Sequence, residues 1–262
     1  MAVFFLFLFG LIVGSFLNVV AFRYSSEGAL FHPAKWGGRS HCLFCSQPLK
    51  WYELIPVISF IIQEGRCMVC RRRLSWQYPL VELAAGFTFL LPVYFERFGL
   101  APLTLNLFNI FWVLIFLGFI LIWAIDARLS VIPDEINIFL GILGLGLVDA
   151  VGASWTNHFI GAVIGVLFLG LIVFWSRGRA MGLGDVKLAA ALGLIFGWPN
   201  IFLILALAFI FGAIAGIYLM VFRKKGMKDA IPFGPFLILG SLAVFFFGQT
   251  LIGNYLSLLG VL

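Results

Sequence analysis

The stretch Phe119-Ile120-Leu121-Ile122-Trp123-Ala124-Ile125-Asp126 joins an unbroken apolar run to a single acid. Similar apolar runs recur throughout the chain, because 63% of its 262 residues are hydrophobic, only 11% are charged and the mean hydropathy is +1.13. A soluble domain needs a far larger charged surface than this composition provides. The chain is therefore predicted to be an all-α polytopic membrane protein, with most residues facing lipid or other helices.

Apolar stretches of about twenty residues, the length needed to cross a bilayer, are the main pattern in the sequence. We expect about eight transmembrane helices, at roughly 3–22, 80–97, 103–125, 135–151, 157–176, 184–198, 201–222 and 236–258. Glycine pairs in the later spans are predicted to be notches for close helix contact, and no internal repeat is apparent. The expected organisation is a first helix at 1–22, a small zinc-binding cytoplasmic domain at 23–79 and a seven-helix membrane domain at 80–262.

The distribution of basic residues predicts the orientation in the membrane. The first span has no basic residue before Arg23, which is typical of a transmembrane helix and not of a cleavable signal peptide. With the N-terminus outside, 16 of the 17 Lys and Arg residues are cytoplasmic and only Arg97 is external, as the positive-inside rule requires. The same rule explains the net charge of +6, so no nucleic-acid partner is expected.

All four cysteines lie in the polar segment 23–79. They form two Cys-x-x-Cys pairs, made by Cys42, Cys45, Cys67 and Cys70. Two such pairs about twenty residues apart have the ligand spacing of a tetrahedral zinc site, and the reducing cytoplasm disfavours disulfides. Because four thiolates leave no open coordination position, we predict a structural Zn²⁺ that helps this small segment to fold. The alternatives are four unliganded thiols, or a thiolate replaced by His32 or His41.

Acids inside membrane spans are costly, so each is a candidate for function. Asp126 ends the third span, and Asp185 follows Gly182 and Gly184 at the start of the sixth. Both are expected at the cytoplasmic edge of the bilayer and at similar depth, where two close carboxylates would share a proton. Such a pair can hydrolyse a peptide by general acid–base catalysis with no covalent intermediate. We predict that Asp126 and Asp185 are the catalytic pair of an intramembrane aspartic peptidase.

Each acid also has a simpler interpretation. Asp185 lies where a helix N-cap would lie, and Asp126 would be an interfacial charge beside Arg128. Asp134 follows Pro133 and is the rival of Asp126, although N-capping explains it sufficiently.

Two further charged residues near the spans have open roles. Glu82, near the start of the second span, would form an ion pair with Lys187 or Arg73, or contact a substrate. Lys187 would act on a carboxylate or extend to the membrane interface, and the interface is favoured.

Several motifs occur in a fixed order along nearly the whole chain. They are Gly14–Val20, Ser40–Cys45, Trp51–Pro56, Gly65–Cys70, Tyr78–Leu83, Ile132–Asp134, Gly182–Leu188 and Ile231–Phe236. In these motifs and their order the chain resembles the bifunctional type IV prepilin peptidase/N-methyltransferases, which are aspartic proteases of the Gly-x-Gly-Asp class.

This resemblance implies two activities in the bacterial inner membrane. The first removes the short basic leader of type IV prepilins or type II secretion pseudopilins after a Gly, with Asp126 and Asp185 as the peptidase aspartates. The second methylates the new N-terminal residue, usually Phe, from S-adenosylmethionine. The resemblance also implies that the cysteine domain and the active site lie on the cytoplasmic side. Glu53 is a candidate contact for methyl transfer.

Three other functions are compatible with parts of the pattern: a peptidase without methyl transfer, a polytopic transporter and a zinc-anchored scaffold. Transporters bind ions near the bilayer midplane, so two acids at one edge favour hydrolysis. The intact cysteine pairs favour the bifunctional enzyme. The sequence predicts no oligomeric state.

Overall fold

The computed structural model describes residues 1–25, 38–97, 99, 106–179, 181–223 and 232–258. In chain order the helices are α1 (Ala2–Arg23), α2 (Ile58–Ile62), α3 (Gln77–Thr88), α4 (Leu91–Arg97), α5 (Leu107–Leu129), α6 (Asp134–Ala150), α7 (Trp155–Ser176), α8 (Leu183–Phe196), α9 (Asn200–Arg223) and α10 (Gly234–Leu258). A short 3₁₀ helix covers Trp51–Leu54. Within the described residues, β-structure is limited to two isolated bridges, His41 to Pro48 and Arg66 to Arg73.

Five stretches of the described chain are long and apolar enough to cross a membrane. They are Val3–Arg23, Gln77–Arg97, Leu107–Leu129, Trp155–Ser176 and Asn200–Phe222. The helices α6 and α8 are shorter, with 17 and 14 residues, and both fall on predicted spans. The prediction of an all-α polytopic membrane protein with a cysteine cluster after the first helix is confirmed, while the count of eight spans stays a prediction.

The third predicted span, 103–125, differs from the helix that forms there. Helix α5 continues to Leu129, so Asp126 lies inside its last turn and not beyond its end. The helix stops because Ser130 adopts a left-handed conformation with φ 53°, and its N–H donates to the carbonyl of Asp126 at 2.8 Å. The acid that follows the apolar run therefore does not mark the end of the helix.

The chain divides into two compact units, Met1–Ile125 and Asp126–Leu262. In the first unit α1 packs along α3 at backbone distance, because glycines face the neighbouring helix. A Cβ added at Gly14 would lie 2.7 Å from the Cα of Glu82, and one added at Gly10 would lie 2.7 Å from the carbonyl oxygen of Ala85. Such contact between small residues replaces the hydrophobic driving force that membrane helices lack among themselves.

In the second unit α8 packs against both α6 and α7. A Cβ at Gly161 would lie 2.8 Å from the carbonyl oxygen of Gly193, and one at Gly144 would lie 3.0 Å from Cγ1 of Ile195. The predicted glycine notches are confirmed at these positions. The side chains of Leu188 and Leu192 are fully buried, so α8 is fixed by neighbours on several sides. This packing holds the first turn of α8, which carries Asp185, in a defined place.

Candidate active site and cysteine cluster

Asp185 lies in the first turn of α8 and is 8% exposed. It is the third residue of the helix, and its Oδ2 accepts the backbone N–H of Gly182 at 3.2 Å. A carboxylate at this position satisfies one of the N–H groups that a helix start leaves free. The N-cap itself is Gly182, so Asp185 is not the N-cap that the simpler interpretation assumed.

Asp126 lies in the last turn of α5 and is 3% exposed. Its Oδ2 is buried, and the backbone N–H of Gly234 is directed at this carboxylate without reaching ideal hydrogen-bond geometry. The interpretation of Asp126 as an interfacial charge does not fit this burial. The carboxylate of Asp126 interacts electrostatically with that of Asp185, so the structure brings together two acids that are 59 residues apart in the sequence.

Two glycines allow the main chain to pack closely around these acids. A Cβ at Gly234, the first residue of α10, would lie 2.5 Å from Oδ2 and 3.3 Å from Cγ of Asp126, so the main chain of Gly234 lies directly against this carboxylate. A Cβ at Gly184 would lie 3.2 Å from Cβ of Ile132. The same Ile132 side chain would be 3.0 Å from a Cβ at Gly234. The starts of α8 and α10 thus meet around Ile132, next to Asp126.

Sequence reasoning did not assign a role to Gly234. It lies in the motif Ile231–Phe236, of which residue 231 is outside the described residues. The motif indicated the family, but it did not indicate that Gly234 contacts Asp126. These two residues are 108 positions apart, and no local sequence pattern predicts a contact between them.

The structure separates Asp134 from this acid pair. Oδ2 of Asp134 pairs with Nζ of Lys187 at 2.6 Å, and the two side chains are 58% and 51% exposed. Asp134 is the first residue of α6, with Pro133 at the N-cap. Lys187 therefore neither pairs inside the bundle nor extends free of partners, because it forms an exposed ion pair beside the start of α8.

Glu82 in α3 is buried, with 6% of its surface exposed. Its Oε2 accepts the backbone N–H of Val57 at 2.7 Å, and the Ser15 hydroxyl also bonds to the carboxylate. The ion pair predicted with Arg73 is not present among the described residues, because the carboxylate is occupied by these neutral donors.

The four cysteine sulfurs form the second site. All four Sγ atoms lie within 4.8 Å of one another. Cys42 and Cys67 are buried, while Cys45 and Cys70 are half-buried. Of the two histidine alternatives, His32 lies outside the described residues, and the ring Nδ1 of His41 faces the carbonyl of Arg39 at 3.3 Å. The donor set in the described chain is thus four thiols.

The two halves of the cluster repeat each other. The equivalent bonds run from Cys42 N–H to Gln47 C=O at 3.0 Å, from Cys67 N–H to Arg72 C=O at 2.9 Å, from Leu49 N–H to Ser40 C=O at 2.8 Å and from Leu74 N–H to Gly65 C=O at 2.7 Å. Ser46 and Arg71 follow the second cysteine of each pair, and both have φ 56°. The expectation of no internal repeat is wrong here: Cys-x-x-Cys-x-x-x-Leu-x-Trp occurs at 42–51 and at 67–76.

The protonation of the thiols fits a bound cation. Burial works to raise the pKa of Cys42, but the backbone N–H groups of Phe44 and Cys45 and the neighbouring thiols outweigh it and lower the pKa to about 7. The N–H of Gln47 works to lower the pKa of Cys45, but desolvation and the three other thiols raise it to about 11. Four thiols this close together cannot all ionise without strong repulsion between their negative charges. A divalent metal would neutralise these charges and so stabilise all four thiolates.

Glu53 has a local structural role. Its Oε2 accepts the backbone N–H of Lys50 at 2.8 Å and closes the 3₁₀ turn at Trp51–Leu54.

Comparison with known proteins matches both parts of the chain. Residues 8–95 match the Bacterial Peptidase A24 N-terminal domain, and residues 111–217 match the Type IV leader peptidase family. The chain is 33% identical to the Prepilin leader peptidase/N-methyltransferase of Pseudomonas putida, over 96% of this chain and 92% of that protein. Proteins of the same name are 32% identical in Bacillus subtilis (strain 168), over 97% of each chain, and 37% identical in Dickeya chrysanthemi, over 88% of each. No solved structure matches the chain.

The matched regions coincide with the two sites. The N-terminal match contains the cysteine cluster and Glu82, and the second match contains Asp126 and Asp185. Identity above 30% extends over nearly the full length of the chain and of its relatives. Together with the paired buried acids and the four clustered thiols, this establishes that the chain belongs to the type IV leader peptidase family.

Proposed function

We propose that this chain is a bifunctional enzyme of the bacterial inner membrane. It removes the leader of type IV prepilins or type II secretion pseudopilins and then methylates the new N-terminal residue. The observation that carries the proposal is the pair of buried acids, Asp126 and Asp185, at facing helix ends lined by glycine. The activities named for its relatives and their full-length similarity support the same assignment.

The catalytic step that suits this geometry is attack by water on the scissile carbonyl. One carboxylate of the Asp126–Asp185 pair takes a proton from the water, and the protonated partner donates to the carbonyl oxygen. On collapse of the resulting gem-diol, the first carboxyl group gives its proton to the leaving nitrogen and the second takes a proton from a hydroxyl, so the C–N bond breaks and the pair returns to its starting protonation. Because Gly182 carries no side chain and an added Cβ there would meet nothing closer than 3.6 Å, an extended substrate segment can approach Asp185 from this side.

The cytoplasmic edge of the bilayer is the proposed location of the acids. Both lie at helix ends, and the bias of basic residues supports a cytoplasmic location for those ends. A prepilin carries its basic leader in the cytoplasm and its apolar helix in the membrane. Its scissile bond therefore lies at the depth of Asp126 and Asp185.

Methyl transfer is assigned to the cysteine-bearing domain. We propose a first helix at 1–22, a cytoplasmic zinc domain at 23–79 and a membrane peptidase domain at 80–262. Cys42, Cys45, Cys67 and Cys70 would hold one structural Zn²⁺, for which four thiolates are a closed ligand set. S-adenosylmethionine supplies the methyl group to the free amine when bound.

The test uses purified full-length protein in lipid nanodiscs and a prepilin with a Gly at the cleavage site. Mass spectrometry should find loss of the leader without S-adenosylmethionine, and an added methyl group on the mature N-terminus with it. A prepilin whose cleavage-site Gly is replaced by a bulky residue serves as control and should stay uncut. Cleavage without methylation would reduce the function to a peptidase, and an uncut Gly-containing prepilin would refute the proposal.

A further inference from the structure

The contacts of Glu82 join three parts of the first unit. Its carboxylate belongs to α3, accepts the N–H of Val57 at 2.7 Å and bonds to the hydroxyl of Ser15 in α1. Val57 immediately precedes α2, within the segment that carries all four cysteines. Glu82 is therefore a point at which the cysteine-bearing segment is tied to the α1–α3 helix pair.

Where Glu82 joins α3, the backbones of α1 and α3 are packed tightly together. Its Cα is the atom closest to a Cβ added at Gly14, at 2.7 Å, so α1 and α3 touch through their backbones at this level. One turn away on α1, the side-chain amide of Asn18 donates to the carbonyl of Tyr78 at 3.0 Å. The carboxylate of Glu82 is thus held by the packed α1–α3 helix pair, and only 6% of the residue is exposed.

Val57, which donates the hydrogen bond to Glu82, has a strained backbone conformation. Val57 has φ 60° and ψ −49°, a backbone conformation that a β-branched residue adopts only when its surroundings impose it. The neighbouring α2 has five residues, of which Phe60 alone is buried, so it offers little packing to impose this conformation. Two hydrogen bonds hold Val57: its N–H donates to the buried Glu82 carboxyl oxygen at 2.7 Å, and its carbonyl accepts the N–H of Ile61 at 3.1 Å. Only the first of these reaches outside the segment, so it is the contact that ties this backbone to α3.

We propose that Glu82 is a positioning residue that fastens the cysteine-bearing segment to α1 and α3 through the N–H of Val57. Methyl transfer, and not leader cleavage, depends on this attachment; this second part rests on the function proposed above. The role belongs to the acceptor oxygen and the reach of the side chain. The negative charge of Glu82 is not itself used on a substrate.

Three substitutions separate these contributions. Glu82→Gln keeps an acceptor oxygen at the same reach but removes the charge, whereas Glu82→Asp keeps the charge and draws the oxygen back by one methylene. Glu82→Leu removes the acceptor. Leu80→Ala is the matched control, because Leu80 lies on the same helix and is 61% exposed.

The full-length variants in nanodiscs are assayed for cleavage of a prepilin and, separately, for methylation of a pre-cleaved pilin. Glu82→Leu should lower the methylation rate at least about tenfold, Glu82→Asp should lower it by less, and Glu82→Gln should retain most of it. All three should cleave the prepilin within about twofold of the unmodified chain. If Glu82→Asp methylates better than Glu82→Gln, the charge is what matters and the proposal is overturned.

Limited trypsin digestion gives a readout that needs no activity. The exposed Arg71, Arg72 and Arg73 are cleavage sites within the segment. Digestion there should accelerate at least about threefold in Glu82→Leu and remain slow in Glu82→Gln and Leu80→Ala. Unchanged digestion in Glu82→Leu would overturn the attachment. Absence of methylation by the unmodified protein would reduce the proposed function to a peptidase but leave the digestion measurement valid. If Glu82→Leu does not fold, the comparison of Glu82→Gln with Glu82→Asp tests the attachment instead.

Discussion

The acid pair and the cysteine-bearing segment are built in opposite ways. Asp126 and Asp185 stand on long apolar helices whose neighbours approach at backbone distance, and both acids are buried. Between residues 38 and 76, by contrast, only Cys42, Phe60 and Cys67 are buried. Trp51 and Trp76 are there 78% and 71% exposed. A region with so little core needs cross-links to hold its shape. The first site therefore depends on helix packing, whereas the second would depend on the proposed zinc and on the proposed attachment through Glu82.

The strongest way to break the first site alone is to remove an acid. Asp126→Asn or Asp185→Asn keeps the shape of the side chain but cannot exchange the catalytic proton, so prepilin cleavage should fall at least about 10³-fold. Methylation of a pre-cleaved pilin should persist, because the cysteine-bearing segment is untouched. Both rates are measured by mass spectrometry of the products. Retained cleavage in either variant would remove that acid from the catalytic pair.

A methyl group placed against the acids should have the next largest effect. Gly234→Ala sets a Cβ 2.5 Å from Oδ2 of Asp126, closer than such atoms approach, so the carboxylate or the start of α10 must shift. Displacement of a catalytic group by about 1 Å can cost about 100-fold in rate, and we expect a loss of ~10- to 100-fold in cleavage.

Gly216→Ala is the matched control for that substitution. Gly216 lies within α9, and a Cβ there would have no heavy atom within 4 Å. Its cleavage rate should equal that of the unmodified chain. Equal activity in Gly234→Ala would mean that the main chain of Gly234 does not position Asp126.

Removal of the metal should break the second region and spare the first. Paired Cys42→Ser and Cys67→Ser changes remove one ligand from each half of the repeat, so bound zinc should fall from about one equivalent to almost none. Methylation should drop roughly tenfold or more, because the cysteine-bearing segment loses its cross-link. Cleavage should change less, because the helix packing around the acids is untouched. Metal analysis of protein purified under reducing conditions measures the zinc content per chain. A metal-free unmodified protein that methylates normally would rule out the zinc site.

Local patterns in the sequence predicted more of this molecule than its long-range contacts. The lengths of the apolar runs predicted the helices. The free-energy cost of placing an acid in a membrane indicated Asp126 and Asp185 as candidate site residues. The predicted end of α5 was too early, because the helix is ended by the left-handed conformation of Ser130 and not by the acid at Asp126. Of the roles left open for Glu82, the ion pair is absent from the described residues, and its partner Val57 was not foreseen because a backbone N–H carries no sequence signal. The same holds for the approach of Gly234 to Asp126.

The smallest expected effect distinguishes Asp126 from its rival Asp134. Asp134 forms an ion pair with Lys187, but both side chains are more than half exposed, and such surface pairs contribute little because water and salt screen them. Asp134→Asn should therefore keep cleavage within about twofold and barely change thermal stability. The measurement is the prepilin cleavage rate beside that of Asp126→Asn, at low and at moderate salt. If Asp134→Asn abolished cleavage while Asp126→Asn retained it, Asp134 would be the partner of Asp185, and the burial of Asp126 would need another explanation.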